Sequence, residues 1–171
     1  PISYTPDGSP LVGPAWGKRG LWLNEGHSFG ITAAGGSGWQ LAEWIVEGEP
    51  GIDMLSADPR RFGPYTSKRY VVEKNEETYR EVFTIHYPDE ERPAARPAKT
   101  SPIYDKLSKA GAVFGQRYGW ERPLWFAPKG VEPTVENYSF GRENWFPYWA
   151  EEHRAARESV IVMDMSFMCK F

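Results

Sequence analysis

Five glycines in the run Gly26-His27-Ser28-Phe29-Gly30-Ile31-Thr32-Ala33-Ala34-Gly35-Gly36-Ser37-Gly38 constrain this chain more than any other feature. The run leaves an apolar, strand-like segment and leads directly into an amphipathic helix that stops near Gly48. Glycine at such an entrance lets the backbone approach a ligand closely, and the free N–H groups of a first helical turn present positive partial charge to an electron-rich group. An anionic or carbonyl oxygen fits that requirement. Because the chain opens at Pro1 without an initiator Met, the expectation is that this entrance is one edge of a larger site.

The flanking sequence sets the order strand, glycine turn, helix. Ile2 to Thr5 reads as a short strand, Pro6-Asp7-Gly8 as a turn, Leu11 to Pro14 as a second extended piece, and Gly20 to Asn24 as a β-compatible apolar run. In the helix, Leu41, Trp44 and Ile45 recur at three- and four-residue spacing opposite Glu43 and Glu47, and Gly48 then Pro50 supply the stop. The pattern predicts burial of one face. Asp58 to Tyr65 is turn-rich, Val71 to Phe83 reads as a surface helix whose charges form a solvated face, and Phe83 to Tyr87 alternates like a strand. Pro88 to Lys99 carries three prolines among three basic residues and continues neither element, which makes it the best candidate boundary. Beyond it, Ser101-Pro102 predicts a capped helix start with Ile103, Leu107 and Ala110 on one face and Gly111 closing it. Two aromatic patches, Tyr118 to Phe126 and Tyr138 to Phe146, precede a helix over Glu151 to Glu158 and a strand over Val160 to Met163.

Composition narrows the function classes. A net charge of −3 and a pI near 5.7 give no electrostatic case for nucleic acid. Cys169 is the single cysteine; it can close no internal disulfide, lacks a CxxC or His-rich neighbourhood, and points to a reducing, intracellular compartment without structural zinc. No apolar run approaches the roughly 20 residues that span a bilayer, so a soluble protein without membrane partners is expected. The 8 Trp, 9 Tyr and 9 Phe beside 15 Pro and 17 Gly indicate a chain whose loops are pinned by aromatic packing.

The inventory for self-contained catalysis is thin. His27, His86 and His153 are far apart, no Gly-x-Ser-x-Gly elbow occurs, and Cys169 has no evident activating partner. Glu76-Glu77, Glu90-Glu91 and Glu151-Glu152 lie in surface-like segments and read as solvation. Gly35-Gly36-Ser37-Gly38 is not a dinucleotide-binding fingerprint, since it lacks both the Gly-x-Gly-x-x-Gly spacing and an acidic residue about twenty positions on. On spacing alone, ligand binding and tight helix–strand packing remain open for it.

Pro1 to Pro14, the glycine entrance, and Leu41-Ala42-Glu43-Trp44-Ile45-Val46-Glu47-Gly48-Glu49-Pro50 together resemble the end of the flavin domain in the dimethylglycine and sarcosine dehydrogenases, flavoproteins similar to D-amino-acid oxidase. Asp58-Pro59-Arg60-Arg61-Phe62-Gly63 through Glu91-Arg92 resembles their small central domain. Ser101-Pro102-Ile103-Tyr104, Gly119-Trp120-Glu121-Arg122-Pro123 and Glu152-His153-Arg154 through Met168 resemble the opening of a folate-binding aminomethyltransferase domain of the glycine cleavage T-protein kind. The resemblance implies a mixed α+β chain with boundaries at 1–51, 52–100 and 101–171.

It also implies FAD as cofactor, with Phe29, Gly30, Ile31, Thr32, Ala33 and Ala34 against the isoalloxazine and their backbone N–H groups directed at the flavin pyrimidine carbonyl. A helix N-terminus there stabilises the negative charge that develops when flavin accepts a hydride. Tyr4 and Thr5 are implied on the substrate side and Met168 on the folate side. Thr32 stands where related amine oxidases often carry Lys, and Phe167 replaces a His common in the T-protein motif. No catalytic residue and no metal ligand is assigned within the chain. The implied reaction is oxidative demethylation of dimethylglycine or sarcosine, with oxygen or a flavoprotein accepting electrons and the one-carbon unit passing to tetrahydrofolate. The compartment would be bacterial cytoplasm or mitochondrial matrix. The alternative is a non-catalytic homologue resembling the regulatory subunit of pyruvate dehydrogenase phosphatase, which shares this domain order and acts by binding.

Overall fold

A computed structural model describes residues 2–135 and 138–168; Cys169 lies outside them. The chain divides into two compact units, Pro1–Thr84 and Ile85–Phe171.

In the first unit, β1 (Leu11–Pro14) and β2 (Trp22–Glu25) pair antiparallel, Leu11 opposite Glu25 and Pro14 opposite Trp22. Helix α1 (Gly30–Glu47) lies against them. Val12 is fully buried, and Gly13, at φ 137°, lies so close to Trp44 that a Cβ there would come within 2.7 Å of the indole. Trp44 also meets Trp22 edge-on at 5.9 Å. A buried face centred on Gln40 and Trp44 results, while Ile45 stays half exposed. Gly48 ends the helix in the left-handed region, its N–H bonding the Trp44 carbonyl, as a terminal glycine predicts.

A single 3-10 turn, Pro59–Arg61, and helix α2 (Lys68–Arg80) complete this unit. Ser67 caps α2 by accepting from the Tyr70 N–H. The helix starts three residues before the predicted Val71, and its charges are not all solvated. Lys74 and Glu77 are each 5% exposed and pair at 2.8 Å on the face that grips the N-terminal segment. There Asn75 donates to the Tyr4 carbonyl and Thr78 to the Pro6 carbonyl. Ile2 to Thr5, predicted as a strand, is irregular, and its Tyr4 carbonyl accepts from Asn75 of α2 rather than from a partner strand. The glycines at 30, 35, 36 and 38 lie inside α1 rather than ahead of it, so the helix begins at the first half of the entrance. Phe83 to Tyr87 is not a strand either; turns follow α2, and Phe83 and Ile85 remain exposed.

The second unit is built on a hairpin that aromatic content concealed. β3 (Ala112–Arg117) and β4 (Trp120–Phe126) pair antiparallel around Tyr118-Gly119, both at positive φ (49° and 80°), as a two-residue turn of the primed type requires. The register slips between Val113 and Phe114, which lets Pro123, without an N–H, sit in a strand. Helix α3 (Tyr104–Lys109) precedes the hairpin; Ser101 does not cap it, because the N-cap is Ile103 and the Ser101 carbonyl instead accepts from Tyr104. Helix α4 (Phe146–Glu158) starts five residues before the predicted Glu151, with Pro147 in its first turn. Trp125, 2% exposed, stacks on Tyr148 of α4 at 5.7 Å. Arg96 bridges to Glu121 at 2.5 Å and donates to the Phe114 carbonyl, fixing the preceding loop to the hairpin. Val160 to Met163, predicted as a strand, pairs with no strand among the described residues, and Val160 and Val162 are almost wholly exposed.

The carboxylate pairs also differ from expectation. In each, the second member turns inward: Glu77 to Lys74, Glu91 to the Gln116 N–H at 2.9 Å, and Glu152 to the Phe126 N–H at 2.8 Å. Each completes a bond that its fold leaves open, so solvation is not their role.

Candidate functional site

In the first unit the candidate site is the N-terminal turn of α1. Phe29 is the N-cap, and no side chain caps the helix. The earliest intrahelical bond runs from the Ala33 N–H to the Phe29 carbonyl at 3.1 Å, so geometry leaves the N–H groups of Gly30, Ile31 and Thr32 pointing out of the helix end. Thr32 directs its hydroxyl back to the Phe29 carbonyl at 2.8 Å, which holds the turn closed while its N–H faces outward. No acidic residue stands in this turn to offset the dipole. Ile31 is fully exposed and Ala34 exposed. At Gly35, Gly36 and Gly38 nothing lies within 4 Å of where a Cβ would stand. The turn is therefore an open set of three aligned donors beside a smooth helix flank.

Two contacts aim it. The Phe29 ring meets Phe83 edge-on at 6.3 Å. Upstream, Gly26 is buried at φ 72°, and a Cβ there would come within 2.8 Å of the Thr5 methyl. Between these contacts, His27 engages Asn24 through Nε2 at 2.8 Å, while its buried Nδ1 has no partner among the described residues. Three outward N–H groups at an uncapped helix start fit an electron-rich ligand edge at this position, such as the pyrimidine carbonyl of a flavin. Of the expected set Phe29, Gly30, Ile31, Thr32, Ala33 and Ala34, the residues with free N–H groups for such an edge are Gly30, Ile31 and Thr32; the Ala33 N–H is taken by the Phe29 carbonyl.

Tyr4 and Thr5 lie close by in the same unit. Thr5, 4% exposed, donates its hydroxyl to the Ser9 carbonyl at 2.7 Å, so the side chain supports the turn that follows it. The Tyr4 ring packs edge-on against Tyr79 at 5.4 Å. Sequence reasoning overlooked Arg61. Its side chain is 2% exposed; it donates to both Asp7 oxygens (2.7 and 3.0 Å), to the Ser9 carbonyl (2.8 Å) and to the Asp58 carbonyl (3.1 Å). The 54-residue separation from Asp7 hides this clamp from any local pattern.

The second unit holds a cavity of about 580 Å³ walled by Leu124 and Phe126 of β4, by Trp149 and His153 of α4, and by Met163, Met165 and Phe167. Arg122 also lines it, its buried Nε without a partner among the described residues. His153 lies 3.0 Å from the Trp149 carbonyl through Nδ1; a carbonyl only accepts, so Nδ1 is the donor in this bond. Asp164 accepts from the N–H and hydroxyl of Ser166. Met168 is half exposed, follows the lining segment and is not part of the wall. Such a mixture of rings, thioethers and few polar groups suits a planar organic ligand.

Comparison with known proteins identifies two family domains along the chain. Residues 47–101 match the FAD dependent oxidoreductase central domain, and residues 103–171 match the GCVT N-terminal domain. In chain order, a central domain of FAD dependent oxidoreductases is thus followed by a GCVT N-terminal domain. The chain is 40% identical over 172 residues to human mitochondrial dimethylglycine dehydrogenase, and 38% identical over 173 residues to 4-methylaminobutanoate oxidase (formaldehyde-forming) of Paenarthrobacter nicotinovorans, in both cases across all of this chain. Human mitochondrial sarcosine dehydrogenase is 39% identical over 82% of the chain. The chain carries the FAD dependent oxidoreductase central domain and the GCVT N-terminal domain, and it is similar to dimethylglycine and sarcosine dehydrogenases. It spans 20%, 21% and 16% of the lengths of these three relatives. The mouse pyruvate dehydrogenase phosphatase regulatory subunit is also similar, at a lower 31% identity, over the whole chain and 20% of its own length. Among the described residues no helix is long and apolar enough to cross a membrane.

Proposed function

We propose that this chain supplies one wall of the flavin site and the opening of the folate domain in an FAD-dependent enzyme that oxidatively demethylates dimethylglycine or sarcosine. The observation that carries this reading is the uncapped first turn of α1, whose three outward N–H groups match a carbonyl edge that gains negative charge. What FAD supplies when bound is the two-electron acceptor. The chain's own part is electrostatic: Gly30, Ile31 and Thr32 donate to the pyrimidine carbonyl, Ala33 and Ala34 continue the turn, and Phe29 shields it.

On this reading Tyr4 and Thr5 stand toward the substrate side. The second unit receives the one-carbon unit on tetrahydrofolate, with its cavity and the adjoining Met168 on the folate side. The boundaries are 1–51, 52–100 and 101–171. Oxygen or a flavoprotein takes the electrons, and the compartment is the mitochondrial matrix or a bacterial cytoplasm. The regulatory alternative is the weaker one, since the enzymes are the more similar relatives.

The test is Gly30→Pro in an FAD-loaded protein of the relatives' length carrying this chain. Proline is tolerated at a first helical position and removes one N–H there. Sulfite affinity of the bound flavin, which follows stabilisation of negative charge at the pyrimidine, should fall by roughly a hundredfold on losing such a donor. An unchanged affinity contradicts the flavin-facing assignment.

A further inference from the structure

The N-terminal turn of α1 is aimed by a chain of contacts that starts in the segment after it. Arg61 is almost completely buried, yet its partner Asp7 is 42% exposed on its side chain. An ordinary surface ion pair contributes little to stability, and this one leaves its carboxylate toward water while committing a buried guanidinium to four acceptor atoms. Its geometry is forked, with Nε and one terminal nitrogen on the two Asp7 oxygens and that same nitrogen on the Ser9 carbonyl. Arginine holds position in this way, where a lysine point charge cannot.

What Arg61 holds is the turn Thr5 to Ser9. Asp7 also accepts from the Ser9 N–H at 3.1 Å, and the Ser9 carbonyl receives both Arg61 and the Thr5 hydroxyl. The Thr5 methyl then lies beside Gly26, 2.8 Å from where a Cβ would stand there, so no side chain fits. Gly26 lies four residues ahead of Gly30, the first residue of α1. Arg61 is itself held: its carbonyl accepts from the Tyr65 hydroxyl at 3.4 Å, and its guanidinium lies 4.4 Å from the Phe62 ring centre.

We propose that Arg61 is a positioning residue for the flavin site, setting through the Asp7–Ser9 turn, Thr5 and Gly26 where the free N–H groups of Gly30 to Thr32 point. The proposal rests on the flavin reading of α1 given above. It makes the central-domain segment responsible for the electrostatics of a site it does not line. Misplacement by about an ångström is enough to cost a positioned group much of its effect.

The experiment uses the FAD-loaded protein of the relatives' length and measures sulfite affinity with FAD content for Arg61→Met, Arg61→Lys, Thr5→Val, the double variant Arg61→Met/Thr5→Val, and Arg69→Ala. Arg69 pairs with Glu73 on an exposed face and serves as the control. Arg61→Met and Thr5→Val should each weaken sulfite binding by roughly tenfold with FAD still stoichiometric, and the double variant should fall no further because both break one path. Arg61→Lys should fail to restore the affinity, and Arg69→Ala should leave it unchanged. Thr5→Val preserves shape, so it carries the test if Arg61→Met does not fold. If Gly30→Pro lowers the affinity while Arg61→Met and Thr5→Val keep it at the parent value, the proposal is overturned and the flavin reading stands. An affinity that Gly30→Pro also leaves unchanged removes the flavin reading and this proposal with it.

Discussion

Lys74 and Glu77 show what a single buried ion pair does in this chain. Both side chains are nearly sealed where α2 meets the N-terminal segment, and each is the other's counter-charge at 2.8 Å. Lys74→Met leaves the Glu77 carboxylate buried without that ammonium, a change of about 3 kcal/mol. Lys74→Met/Glu77→Leu should cost far less, which urea unfolding of the single and double variants would show. Tyr70 gives a pH signature. Burial first, then the neighbouring Tyr65 and the Asp7 charge, push its phenol well above the ordinary 10.0. A group with a raised folded pKa adds stability that is complete below its unfolded value and is lost as pH rises toward the folded one. Stability of the first unit should therefore fall above about pH 10, and Tyr70→Phe should flatten that slope in unfolding curves measured across alkaline pH. Neither pairing was legible in the sequence, where Lys74, Glu76 and Glu77 read as one solvated face. Helical spacing alone does not say which side of α2 meets the segment at Tyr4 and Pro6.

At the scale of elements, legibility followed local chemistry. The end of α1 was readable because a left-handed glycine terminates a helix by its own backbone freedom, and Gly48 does so at φ 87°. Its beginning was harder to read. Four glycines in the first nine residues of α1 oppose helix formation by roughly 0.5–1 kcal/mol each relative to Ala, so propensity favours a loop where the structure has a helix. The structure overrides propensity because Gln40 and Trp44 anchor the far half of the same helix. Since Gly36 faces open space, Gly36→Ala should stabilise the isolated chain by about 0.5–1 kcal/mol in thermal or urea unfolding. A loss of stability instead would show that this flank is covered. The β3–β4 hairpin had a readable signal in Tyr118-Gly119, but the surrounding Trp and Phe residues drew the reading toward an aromatic patch. Val160 to Met163 has the composition of a strand and lacks only a partner, which composition cannot supply.

Across the whole molecule, exposed apolar surface is the dominant property. Ile31, Trp39 and Val46 on α1, and Val160, Val162 and Met163 after α4, are all more than half exposed, more than a self-sufficient surface carries. The isolated 171 residues should bind a hydrophobic dye at neutral pH and show neither tight flavin binding nor oxidase activity; a dark dye assay, or a yellow and active preparation, would contradict this. Family, cofactor class and the order of its segments were legible because motifs such as Gly119-Trp120-Glu121-Arg122-Pro123 stay recognisable in isolation. The Arg61 clamp and the 580 Å³ cavity were not, because each joins residues far apart in sequence. The most direct test of the central claim is a crystal structure of the FAD-loaded protein of the relatives' length. Backbone nitrogens of Gly30 to Thr32 should lie about 3 Å from the flavin pyrimidine carbonyl oxygen, within hydrogen-bond range; a flavin bound with that carbonyl beyond reach of the first turn of α1 would overturn the flavin-facing assignment.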